Sequence, residues 1–142
     1  MQYVCPLCQI IQSSHSLTKV LETTETIYYY TCPAQAILYH DVTGIVNHYD
    51  GVLSEMSNSK QWVWIFDSLD FGLKHVMQTN VAIELAKLIT NKFSNNLKKI
   101  IIINPTLYIT ITHKLIMPFL NNKVRDIIEL NYESTCAEEL FL

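Results

Sequence analysis

Glycine is scarce in this chain. Only Gly44, Gly51 and Gly72 occur in 142 residues, so no glycine-rich loop can wrap backbone amides around a phosphate. Charge is scarce too. Ten basic and 13 acidic residues leave a net charge of −3, and neither sign forms a run. Nucleic-acid binding needs a concentrated basic stripe that displaces counterions from phosphates, so nucleic acid is not an expected partner. No apolar run approaches the roughly 18 residues that cross a bilayer, and no basic segment leads into an apolar one at the N-terminus. The expectation is a soluble, intracellular, cytoplasmic protein with at most peripheral membrane contact. Four cysteines, Cys5, Cys8, Cys32 and Cys136, are too few and too unevenly spaced for a disulfide scaffold in a chain able to build a core. Reduced thiols are expected.

What the chain has in quantity is apolar surface to bury. Hydrophobic residues make up 49% and charged residues 16%, the composition of a folded domain rather than a disordered one. The length suits one domain, and a globular chain of this size removes roughly 68–70% of its unfolded surface from water. No internal repeat, low-complexity segment or linker interrupts it.

Local patterns give an order of elements. "IYYYT" at 27–31 is aromatic and β-branched and is closed by Cys32-Pro33, which reads as a short strand. From Asp41 or Thr43 the apolar positions Ile45, Val46, Tyr49, Val52, Leu53 and Met56 recur at helical spacing behind an N-capping residue. "QWVWIFD" at 61–67 is apolar on both faces, as in a strand covered on both sides. Leu73, Met77, Val81, Leu85 and Leu88 predict one long helix over 73–93. "NLKKIIIINP" then changes abruptly from a charged opening to four isoleucines and stops at Pro105. Two doubly covered strands joined through a helix form a βαβ unit with parallel strands and a right-handed crossover. Whatever follows Pro105 lies at the carboxyl edge of the sheet, where open α/β sheets bind ligands. Residues 106–120 suit either an alternating strand at Tyr108 to Thr112 or an amphipathic helix ended by Pro118. "DIIEL" at 126–130 reads as a further strand, and Thr135 with Glu138 resembles the capping box of a terminal helix.

The segments "WVWIFDSLDFGLKH", "NLKKIIIINP" and "PFLNNKVRDII" occur in the order and at the separations of the CRAL-TRIO domain, which they resemble. That is the lipid-binding domain of phosphatidylinositol-transfer and retinaldehyde-binding proteins. The resemblance covers about residues 27–142 and leaves 1–26 as a separate segment containing Cys-Pro-Leu-Cys. It implies a three-layer α/β/α fold with a mainly parallel sheet, and a non-enzymatic module whose apolar pocket holds a lipid or other small hydrophobic ligand. It also implies that 106–117 is a helical gate over that pocket. Trp62, Trp64 and Phe66 on the strand, with Leu107, Ile109, Ile111, Leu115, Ile116 and Phe119 on or beside the gate, are the pocket or gate candidates. The chain is short for a lipid-transfer protein of this kind. The related BCH domains act as protein-interaction scaffolds, for small GTPases or other regulatory partners, and imply the alternative of a collapsed pocket.

Three further groups carry possible chemistry. Cys5 and Cys8 have the two-residue gap that lets two thiolates reach one tetrahedral zinc. A structural zinc needs four ligands, no second Cys-x-x-Cys exists, and His15, Cys32 and His40 are the nearby candidates to complete it; ordinary reduced cysteines compete with that assignment. Asp67, Ser68, Asp70 and His75 follow a strand end, where acid–base chemistry is conceivable and helix capping is the commoner role. His40, His48 and His113 stand beside no recognisable nucleophile, and no Gly-x-Ser-x-Gly elbow is present. No catalytic residue is assigned. Alternation puts Trp62, Trp64 and Phe66 on one face of their strand and Val63 and Ile65 on the other, so only one set can face a pocket.

Overall fold

The structure, a computed structural model, describes residues 3–11 and 14–132. Five strands, β1 (Thr18–Glu22), β2 (Thr26–Thr31), β3 (Gln61–Asp67), β4 (Leu97–Ile103) and β5 (Ile128–Asn131), form one sheet in chain order. β1 pairs antiparallel with β2, and β2 through β5 are parallel. The α/β class, the mainly parallel sheet and the parallel pairing of the two apolar strands are those expected from the sequence.

Strand order equal to chain order has a consequence for the helices. Each right-handed crossover steps the same way along the sheet, so all crossover helices land on one face. These are α2 (Val42–Leu53), α4 (Thr79–Leu88), α5 (Leu107–Ile116) and α6 (Asn122–Ile127), with two short helices, α1 (Pro6–Ile10) and α3 (Leu73–Val76), completing the described set. Ile45, Tyr49 and Leu53 of α2, Val81 and Leu85 of α4, Ile109 of α5 and Val124 of α6 share one core with Trp62, Trp64, Ile100 and Ile102. The opposite face carries a smaller cluster of Val63, Ile65 and Ile103, bordered by Tyr28, Tyr30 and Ile101. Full burial of Ile65 and Ile103 stabilises the sheet by roughly 1.5–3 kcal/mol each relative to exposure.

The long helix expected over 73–93 is divided. Gln78 leaves helical geometry at φ −90°, ψ 54°, ahead of Thr79 and Asn80, polar residues that favour helix starts. The break turns Leu73 and Met77 outward while Val81 and Leu85 enter the core. At its far end the helix widens into a π turn over Ile89–Phe93, and the Trp62 indole N–H donates to the freed Phe93 carbonyl at 3.0 Å. Residues 107–116 are helical despite their β-branched alternation. Thr106 caps them by accepting the Ile109 N–H at 3.3 Å, and the Thr110 hydroxyl donates back to the Thr106 carbonyl at 3.2 Å. The last strand begins at Ile128, because Asn121 caps α6 by accepting the Val124 N–H at 2.8 Å and makes 122–127 helical first. β1, inside the 1–26 segment, carries mostly exposed residues and so lacks the apolar alternation that announces a strand. The capping box at Thr135 and Glu138 lies outside the described residues.

Candidate functional site: an apolar pocket beneath α5

The helical face of the sheet does not close completely over the carboxyl half of β3 and β4. A pocket of about 70 Å³ remains there. Its floor follows from the parallel register, which sets Trp64 beside Ile100, Ile100 beside Ile128, and Phe66 beside Ile102. Its roof is α5, which presents Ile109, Thr112, His113 and Ile116. That spacing of three, four and seven residues is one face of a helix. Ala82, Leu85 and Ala86 of α4, with Ile89 of the π turn that continues it, repeat that spacing as a side wall, and Leu120 and Val124 close the end.

The lining is mostly apolar, with Tyr39, Trp64, Thr112 and His113 as its residues that carry side-chain polar atoms. Trp64 Nε1, Thr112 Oγ1 and His113 Nε2 are buried and find no hydrogen-bond partner among the described residues. Trp64 and Thr112 are only 8% and 7% exposed. A buried donor left unpaired costs about 1–3 kcal/mol, so three around one small pocket form a concentrated polar demand. Burial also pushes the His113 imidazole below its ordinary value, which favours a neutral ring inside.

Four of the nine residues expected at the pocket or gate line it: Trp64, Phe66, Ile109 and Ile116. Trp62 shares their face but is fully enclosed in the core behind its bond to Phe93. Leu107, Ile111 and Leu115, at 72%, 40% and 45% exposure, point outward from α5 with Phe119 just beyond. The four recur every fourth residue, an apolar stripe on the outer side of the roof. Thr112 and His113 were not read from sequence as pocket residues, because in a helix-or-strand ambiguity a polar residue offers no inward signal.

The turn after β3 is structural in its bonding. Asp67 accepts from the Tyr30 hydroxyl at 2.6 Å, the Leu69 N–H at 3.0 Å and the Asn104 amide at 3.1 Å. Burial, with the Asp67 carboxylate beside it, pushes the Tyr30 phenol well up. His75 Nδ1 accepts the Gly72 N–H at 2.9 Å and its ring stacks on Phe71. Asp70 holds a left-handed conformation at φ 61°. Cys5 and Cys8 lie together with His15 and His48, and none of these four lines the pocket. No described helix is long and apolar enough to cross a membrane.

Residues 17–141 match the CRAL/TRIO domain. The fold is similar to the crystal structure of Sfh5, with a TM-score of 0.63 at 14% sequence identity, over 87% of this chain and 50% of that one. The present chain thus spans half the length of that neighbour. No curated protein matches the sequence.

Proposed function

We propose that this chain, which belongs to the CRAL/TRIO domain family, binds a small hydrophobic molecule with one polar, hydrogen-bonding end in the pocket beneath α5. CRAL/TRIO is a lipid-binding family, so a lipid with a hydroxyl, carbonyl or carboxyl terminus is the natural occupant. The observation that carries this is the set of three orphaned atoms, Trp64 Nε1, Thr112 Oγ1 and His113 Nε2, on a mostly apolar lining. A single acceptor atom on the ligand satisfies the indole N–H, and a hydroxyl can serve the other two.

At about 70 Å³ the pocket is well below the roughly 300–1,000 Å³ of most small-molecule sites. Entry of a chain therefore requires residues 106–117 to swing outward as a gate, each methylene that enters contributing about 0.8 kcal/mol. The outward stripe of Leu107, Ile111 and Leu115 suits peripheral contact with a lipid surface at that moment. Asp67 and His75 are engaged in turn bonds, and binding without catalysis is the proposed activity. Three free described cysteines suit a reducing, cytoplasmic compartment.

The small volume also favours a second reading, a BCH-type scaffold in which the pocket is collapsed and the surface binds a protein such as a small GTPase. One experiment separates them: extraction and mass spectrometry of lipids carried by the purified chain, followed by titration with a brominated fatty acid while Trp fluorescence is recorded. Recovered lipid and quenching that disappears in Ala86→Leu support the pocket. A blank extract with no quenching supports the scaffold.

A further inference from the structure

Cys5, Cys8, His15 and His48 come from three separate places: the two ends of the Cys-x-x-Cys turn at α1, the loop before β1, and the middle of α2. Their four ligand atoms nevertheless lie within 4.8 Å of one another. Cys5 Sγ stands 3.3 Å from His15 Nδ1, Cys8 Sγ 3.9 Å from the same nitrogen, and Cys8 Sγ 3.9 Å from His48 Nδ1. A tetrahedral zinc with Zn–S of about 2.3 Å and Zn–N of about 2.0–2.1 Å needs ligand-to-ligand edges of about 3.3–3.8 Å. The cluster is close to that size before any ion draws it in.

We infer that Cys5, Cys8, His15 and His48 form a structural zinc site that fastens the N-terminal segment to α2. Ligand chemistry fits, since two thiolates and two imidazoles make a set that selects zinc among the common divalent ions. Two thiolates cancel the charge of the dication, so the occupied site is neutral, as a buried site must be. Cys5, His15 and His48 are all buried.

The surroundings favour it independently. Each histidine turns Nδ1 toward the thiols and engages Nε2 elsewhere. His15 Nε2 is 3.0 Å from Asp41 Oδ2, and His48 Nε2 is 2.9 Å from the Leu17 carbonyl. A carboxylate and a backbone carbonyl are the usual outer partners of zinc-bound histidine, fixing the proton on the far nitrogen and leaving the near one free to ligate. Asp41 also caps α2 through Oδ1, which accepts the Gly44 N–H at 3.1 Å. Gly44 leaves room for this, because an added Cβ would overlap the Asp41 carboxylate and stand 2.6 Å from His15 Nε2. Tyr3 lies over Gly51 of α2 in the same way, its ring 2.6 Å from where a Cβ would be. The segment is thus fitted against α2 on both sides of the cluster. A five-residue helix such as α1 is far too short to hold itself in water, and a metal supplies what its length does not.

The test is metal content and spectroscopy of the untagged full chain produced with zinc in the medium. One zinc per chain is expected, with visible d–d absorption and a thiolate-to-metal band when cobalt replaces it. His48→Ala lowers the affinity at least tenfold, Cys8→His retains the ion, and Cys32→Ala leaves content unchanged. Asp41→Asn keeps the α2 cap acceptor but weakens zinc by about 10–100-fold, the usual effect of removing an outer partner. Should a ligand variant fail to fold, the wild-type cobalt spectrum decides. Less than a tenth of an equivalent of zinc with no cobalt spectrum overturns the inference, as does full retention of zinc in folded His48→Ala.

Discussion

The Thr106 hydroxyl donates to the Phe71 carbonyl at 2.8 Å while accepting the Ile109 N–H at 3.3 Å. One oxygen therefore both starts α5 and ties its first turn to the loop that follows β3. At the other end Arg125 Nε donates to the Met117 carbonyl at 2.9 Å from an exposed position. In the proposed opening of residues 106–117, the first contact would serve as the pivot and the second as the latch. Arg125→Ala is expected to speed release of a pocket-bound fluorescent lipid several-fold with a change in stability of at most about 1 kcal/mol. Thr106→Val is expected to destabilise by about 1–2 kcal/mol through loss of the cap. Stopped-flow displacement and urea denaturation read the two effects separately; equal release rates in wild type and Arg125→Ala would remove the latch.

Thr112→Val conserves shape and deletes one of the unpartnered atoms over the pocket. The empty chain should gain up to about 1 kcal/mol, since an unpaired buried hydroxyl no longer has to be kept from water. A ligand with a polar terminus should bind more weakly while a pure hydrocarbon of equal length binds unchanged. Calorimetry with a matched alcohol and alkane tests this, and equal losses for both ligands would show that Thr112 acts through packing alone.

Acid should weaken the fold in a defined window. Burial holds His113 below the ordinary imidazole value of 6.5, and burial followed by the neighbouring Lys74 charge does the same for His75. Between those lowered values and 6.5 the unfolded chain binds more protons than the folded one, so stability rises with pH there and falls as pH drops through 6.5. Thermal melts from pH 8 to 5 should be level above about 7 and decline below it, where the unfolded imidazoles near 6.5 take up protons. His113→Gln should flatten part of the decline, and a variant profile identical to wild type would exclude His113 from it.

Asn104 adopts a left-handed backbone at φ 51° where β4 ends, and its amide donates to Asp67 at 3.1 Å. Asn104→Ala should destabilise more than Asn104→Gly, the difference of about 1 kcal/mol being the left-handed strain on a Cβ. Chemical denaturation of the pair checks this; Ala equal to Gly would mean that the lost hydrogen bond carries the whole effect.

Legibility in the sequence tracked burial. β3 and β4 were plain because burial on both faces leaves an unbroken apolar run, and the alternation of Trp62, Val63, Trp64 and Ile65 sorted the two faces of the sheet. β1 was silent because an exposed edge strand carries little apolar signal. α5 needed the family resemblance, since Thr106 capping and the contact with Phe71 override local β-branched preference. Among the candidate pocket residues, the resemblance marked 106–117 as a gate but not which side faced in, and Leu107 and Leu115 turned out opposite to Ile109 and Ile116. Cys5 and Cys8 announced half of the proposed ligand set. His15 was among the candidates named to complete it, whereas His48 joins from α2, 40 residues beyond Cys8, a distance that only the folded chain spans.

The unfilled space beneath α5 also has a mechanical meaning. About 70 Å³ per molecule corresponds to about 40 mL/mol, within the 20–100 mL/mol by which proteins contract on unfolding. Loss of this space on unfolding adds to that contraction, so compression favours the unfolded chain. A bound lipid chain takes that contraction away, so hydrostatic pressure should squeeze the empty protein open more readily than the loaded one.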